Sequence, residues 1–63
     1  MKINFITSGA AFQDEYADEE TNKLYIRTEV ARILKKITAE IEQGEMYGSI
    51  MDINGNKVGK WEI

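Results

Sequence analysis

The chain reads as an α+β domain of β-α-β-β order, a three-stranded antiparallel sheet with one helix packed on one face. Three features lead there. The first residues alternate with the period of a strand. A long central stretch has helical spacing. Two further alternating runs at the end are joined by Asn54-Gly55. With 63 residues the chain makes one domain at most, spanning 1–63 and near the lower size limit for independent folding.

Residues 2–7 are the first strand. Ile3, Phe5 and Thr7 fall on one face and Lys2, Asn4 and Ile6 on the other. Ser8-Gly9 ends the run. Phe12, after the small residues Ala10 and Ala11, is the large side chain available to close an edge of the core.

Residues 13–21 form a polar connection in which Asp18 or Thr21 can cap the following helix. Asp14, Glu15, Asp18, Glu19 and Glu20 put five acids into seven residues. The formal charge of the chain is -3. Without those five, six acids remain against eight bases, so the negative excess sits in this one segment. Acids here also suit the positive end of the helix dipole. The segment is therefore both a solvated helix start and a candidate contact with a basic partner.

From about Asn22 to Gln43, Ile26, Val30, Ile33, Leu34, Ile37 and Ile41 lie on a stripe roughly 100 degrees wide. Glu29, Arg32, Lys35, Lys36 and Glu42 are placed off that stripe, and Lys36 with Glu40 has the spacing of an i, i+4 pair. Gly44 supplies a left-handed stop.

The end of the chain is a hairpin. A two-residue loop at Asn54-Gly55, with positive φ at both positions, pairs Asp52 with Lys57, Met51 with Val58, Ile50 with Gly59 and Gly48 with Trp61. That register puts Met46, Ile50, Trp61 and Ile63 on the core face. It leaves Tyr47, Met51, Ile53 and Val58 on the opposite face, with Ile6 added from the first strand. One helix covers one face only, so these five residues are the expected oligomer interface.

Several chemistries are excluded on residue type. Cysteine and histidine are absent, so there is no disulfide, no thiolate zinc site, no thiol nucleophile and no imidazole base. Oligomerisation or partner binding is the staple left to so small a scaffold, and a homodimer is expected. Asp52-Ile53-Asn54-Gly55-Asn56 alternates oxygen ligands, but a calcium loop wants glycine at its sixth position and glutamate at its twelfth. Lys57 and Ile63 stand there. Ser8-Gly9-Ala10-Ala11 lacks the glycine spacing and the lysine of a phosphate loop. No catalytic residues, metal or cofactor are expected, and the chain is read as not an enzyme. Met1 runs straight into the first strand and no apolar run reaches the roughly 20 residues of a membrane span, which predicts a cytoplasmic protein with no membrane contact. Nucleic acid is a disfavoured partner, because Glu29, Glu40 and Glu42 interleave with Arg27, Arg32, Lys35 and Lys36 on the helix.

Three segments carry a resemblance: Gly9-Ala10-Ala11-Phe12, Glu29-Val30-Ala31-Arg32-Ile33-Leu34, and Asp52 through Trp61. Together they resemble a pattern in small, mostly uncharacterised proteins of bacteria, their phages and mobile elements. The resemblance carries over no catalytic residues. It implies a compact phage or mobile-element product of the kind that includes inhibitors of host defence such as anti-CRISPR proteins, acting stoichiometrically. The expected function is thus a non-enzymatic protein-binding factor, and the resemblance implies an inhibitor of this type. The alternatives are a small nucleic-acid-binding regulator that uses the helix bases with Tyr25, and a structural or assembly accessory protein.

Overall fold

A computed structural model describes all 63 residues. Its elements are strand β1 (Lys2–Phe5), helix α1 (Glu19–Glu42), strand β2 (Tyr47–Met51) and strand β3 (Lys57–Glu62). The strands form one antiparallel sheet in the order β1-β3-β2, so the last strand lies in the middle. The expected α+β fold is the observed one. The first strand is shorter than 2–7, although the Ile6 amide still donates to the Val58 carbonyl and extends the ladder by one bond.

Local chemistry sets the bounds of α1. Asp18 is the N-cap, and its carboxylate accepts a hydrogen bond of 2.7 Å from the Thr21 amide. Of the two candidate caps, Asp18 is the acceptor and Thr21 supplies the donor. Glu19 and Glu20 occupy the first turn, where the helix dipole favours them. At the far end Gly44 takes φ +101° and its amide donates to the Ile41 carbonyl, so the chain reverses there into β2.

The core lies between α1 and one sheet face. Phe12, Ile33, Ile37, Ile50 and Trp61 are buried, with Phe5, Ala11, Ile26, Val30, Ile41 and Val58 packed around them. Register explains the sheet's part in this. Ile3, Trp61 and Gly48 share one row on the core face, and Phe5, Gly59 and Ile50 share the next. Met46 and Ile63, expected in the core, lie beyond the helix's cover and are exposed. Leu34 is also exposed, at the margin of the helical stripe. At 100 degrees per residue, Glu29 and Glu40 lie about 40 and about 20 degrees beyond Ile33, on the edge of the stripe opposite Leu34, so the face that packs on the sheet is centred nearer Ile33 than the apolar stripe is. Glu29 is accordingly buried.

The hairpin departs from the expected turn. Only Gly55 has positive φ, +84°, whereas a type I′ turn would require Asn54 there too. The loop has three residues, Ile53-Asn54-Gly55, closed by Asp52 N–H to Asn56 O at 2.8 Å and Gly55 N–H to Asp52 O at 3.0 Å. Its cause is the Asp52 side chain. One carboxylate oxygen accepts from the amides of Asn54 and Asn56, both at 2.9 Å, which fixes a turn that begins at Asp52. Met51 therefore pairs with Lys57, while Ile50 still pairs with Gly59 and Gly48 with Trp61. Val58 is the extra residue of a bulge at this point, and it turns inward against the core.

Two glycines permit the central strand to be this crowded. A Cβ on Gly59 would stand 2.0 Å from the Asn4 carbonyl oxygen and 2.5 Å from Phe5 Cα. A Cβ on Gly48 would stand 2.7 Å from the indole Nε1 of Trp61. Gly59→Ala should displace β1 and cost about 1–3 kcal/mol. Gly9→Ala, where a Cβ meets nothing within 4 Å, should leave stability nearly unchanged. Urea midpoints followed by Trp61 fluorescence separate the two, and equal midpoints would refute the packing account.

The cap has its own signature. The backbone hydrogen bond from Thr21 holds the Asp18 carboxyl below its usual value of 3.8. A depressed pKa contributes stability that is present above 3.8 and lost as pH falls through the lower folded value. NMR titration should place Asp18 below 3.8. Asp18→Asn, which also caps, should remove this part of the acid dependence while keeping the helix start.

Candidate partner-binding surface

Two buried carboxylates organise the end of the molecule where the hairpin turn meets the helix. Glu29 is 4% exposed. Its Oε2 accepts from the Ile53 amide at 2.8 Å and its Oε1 from Arg32 Nε. Arg32 then donates through Nη2 to the Met51 carbonyl at 3.0 Å. The bond to Glu29 raises the Arg32 pKa above its ordinary value. Asp52, also buried, is committed to the turn amides. Both carboxylates are thus bound by backbone donors and hold the turn in place. The arrangement ties the tip of the hairpin to the middle of the helix.

This tie places Ile53. Its amide faces Glu29, and its side chain, 69% exposed, stands beside Tyr25 and Leu24 of the helix and Ala11 of the preceding segment. Tyr25 is 42% and Leu24 52% exposed. An adjoining groove of ≈ 710 Å³ continues past Tyr25 and Ile53 to Asp14, Glu15 and Tyr16. The result is an open groove of mixed lining, in which Tyr25 and Ile53 stand among polar side chains that include the carboxylates of Asp14 and Glu15.

The acidic segment is ordered by hydrogen bonds within and around it. The Asp14 amide donates to Asn22 Oδ1 at 2.8 Å, and Asp14 Oδ1 accepts from the Tyr16 amide at 2.9 Å. Tyr16 is held outward, 91% exposed. The five acids divide by task. Asp14 and Glu15 line the groove. Asp18 caps the helix, Glu19 pairs with Lys23 at 3.5 Å, and Glu20 lies exposed in the first turn.

The expected interface of Ile6, Tyr47, Met51, Ile53 and Val58 does not assemble on one face. Tyr47, Met51 and Ile6 remain exposed on the side of the sheet away from the helix. Val58 is drawn to the core by the bulge, and Ile53 is carried to the helix side by the three-residue turn. What the uncovered face presents is mostly polar. Lys2, Glu62 and Tyr47 form one row and Asn4, Lys60 and Ser49 the next, with Lys57 beside Met51 beyond them. Three lysines against one glutamate make it a basic face.

The apolar cluster of Leu24, Tyr25 and Ile53 was not anticipated from the sequence. A partial signal existed: Leu24 and Tyr25 lie outside the core stripe, and an apolar residue inside a polar turn is unusual. No protein-family model matches the chain, and no curated protein or solved structure shows similarity to it. No helix is long and apolar enough to cross a membrane.

Removing the central carboxylate tests how the site is built. Glu29→Ala strips the Ile53 amide and Arg32 of their acceptor at a buried position and should cost on the order of 2 kcal/mol. Amide exchange at Ile53 should accelerate in the same variant beyond the change expected from global stability. Unaltered exchange at Ile53 would show that Glu29 does not fasten the turn.

Proposed function

We propose that the chain is a non-enzymatic protein-binding factor whose partner surface is the groove between the 8–16 segment, the first half of α1 and the hairpin turn. One observation carries this reading: Leu24, Tyr25 and Ile53 are exposed together where Glu29 fastens the hairpin turn to the helix, with Asp14 and Glu15 lining the adjoining groove. Exposed aromatic and aliphatic side chains on a preorganised surface are the usual anchors of a protein contact, because little entropy is lost on ordering them. Asp14 and Glu15 specify the partner's chemistry, a segment with an apolar anchor flanked by lysine or arginine. They also raise the rate of encounter with such a surface. In this role the chain acts stoichiometrically. The resemblance of its segments to phage and mobile-element products favours a host defence component as the target.

The basic sheet face supports a second reading, contact with an anionic partner such as nucleic acid, through Lys2, Lys57 and Lys60 rather than through the helix bases. Arg32 is committed to Glu29 and Met51.

Both readings are tested by capture from host lysate on four immobilised forms: wild type, Ile53→Asp, the double variant Asp14→Asn with Glu15→Gln, and Lys60→Glu. The proposed site requires a protein retained by wild type and Lys60→Glu, and weakened about tenfold by Ile53→Asp, equivalent to about 1.4 kcal/mol. The double variant should reduce the salt dependence of its association rate. A partner lost only on Lys60→Glu would overturn this assignment and support the sheet-face reading.

A further inference from the structure

Hydrogen-bond parity along β2 shows an unfilled sheet edge. The Met46 carbonyl accepts from Ile63 and the Asp52 amide donates to Asn56, both toward β3. In an antiparallel ladder, bonded positions alternate, so Gly48 and Ile50 also face β3. Tyr47, Ser49 and Met51 direct their main-chain groups the other way, to the outer edge. Arg32 confirms this parity, since it reaches the Met51 carbonyl from outside. The edge therefore offers the amides and carbonyls of Tyr47 and Ser49 and the amide of Met51.

Over Tyr47 to Ile50 this edge lacks the features that keep sheets apart, and only its far end is occupied, by Arg32 on the Met51 carbonyl. Tyr47-Gly48-Ser49-Ile50-Met51 has no charge and no proline, and the bulge of the hairpin is on β3. The other edge, β1, carries Lys2.

We propose that the occupant of the β2 edge is a second copy of the chain, paired antiparallel about a two-fold axis through Ser49. The sheet becomes six-stranded, in the order β1-β3-β2-β2-β3-β1. The same strand serves both partners, as a two-fold interface requires. Ser49 meets Ser49 and exchanges two hydrogen bonds. Tyr47 faces Met51 of the other copy on the open side, and Gly48 faces Ile50 on the core side.

Charge complementarity on the helix selects a second copy as the occupant. Lys36 and Glu40 line the flank of α1 above β2, next to Ser49, Ile50 and Met51. Glu40 lies level with Gly48, since its Oε2 sits 3.2 Å from a Cβ built there. Lys36 is four residues earlier, about 6 Å along the helix axis, which matches two residues of strand. Lys36 is thus level with Ile50. A two-fold axis through Ser49 exchanges levels 48 and 50, which brings Lys36 of each copy to Glu40 of the other. Lys36 has no ion-pair partner within the chain, and Glu40 bonds Trp61 through Oε2 only. A five-residue edge is short beside the roughly 800 Å² per partner of a standard interface, so the dimer belongs to the weak, concentration-dependent class.

The test is sedimentation equilibrium of the full chain from micromolar to millimolar concentration, with amide exchange read by NMR at both ends. The proposal expects a monomer–dimer equilibrium in which exchange at Ser49 and Met51, whose amides meet the carbonyls of Ser49 and Tyr47 of the other copy, slows at least about tenfold on dimerisation. Gly48 and Ile50 should be protected throughout. Ser49→Pro removes an amide that the monomer does not use, and should give a folded monomer. Lys36→Glu sets like charges at two symmetric contacts and should raise the dissociation constant by about tenfold, whatever becomes of the proline variant. A strict monomer at millimolar concentration overturns the proposal. So does a dimer in which Ser49 and Met51 still exchange freely, which would mean association through the sheet face or the groove.

Discussion

The structure depends on burying one indole in the middle of a three-stranded sheet under a single helix. Trp61 sits on the central strand, opposite Ile3 on one side and Gly48 on the other. It is the largest buried side chain, and its polar edge cannot reach water. Glu40 meets that need, accepting from Nε1 at 2.9 Å. A buried indole N–H without an acceptor would forfeit part of what burying the ring contributes. The glycine at 48 leaves the space in which this bond is made. The helix is consequently placed by a hydrogen bond as well as by Ile33 and Ile37, and the flank bearing Glu40, Lys36 and Glu29 is set toward β2.

From that placement follows the second anchor. With Glu40 near the start of β2, Glu29 lies about three helical turns earlier, beside the hairpin tip. There it accepts from the Ile53 amide and from Arg32. The two glutamates fasten the helix to the hairpin at both ends. Asp52 stiffens the loop between β2 and β3 from within. Glu29 and Asp52 are buried at the cost of desolvation, which their backbone and guanidinium donors offset. The benefit is conformational. A hairpin tip that would otherwise move freely becomes a fixed support for Ile53.

The surface divides by charge and polarity as a result. The groove end combines apolar side chains with the acids that line it. The uncovered sheet face is basic and polar. The β2 edge is uncharged. Each surface suits a different kind of neighbour: a cationic protein segment, an anion, and an identical strand. A core of five buried side chains is small, so adding strands or a partner would stabilise the fold at little structural cost.

The sequence alone determined the element order, the helix with its cap and its glycine stop, the buried Ile33, Ile37, Ile50 and Trp61, and the Gly48–Trp61 and Ile50–Gly59 pairs. Those features come from periodicity and local chain chemistry, which act over a few residues. Tertiary structure decided the rest. The choice between a two-residue and a three-residue loop rested on the Asp52 carboxylate and on a Glu29 acceptor 24 residues away from Ile53. A one-residue change at that loop moved Val58 into the core and Ile53 to the helix side, because side chains in a strand alternate with period two. Glutamate reads as a solvent residue until a buried N–H is set before it, and neither the Ile53 amide nor the Trp61 indole is visible in helical spacing. The exposed cluster of Leu24, Tyr25 and Ile53 exists only through those two long-range bonds.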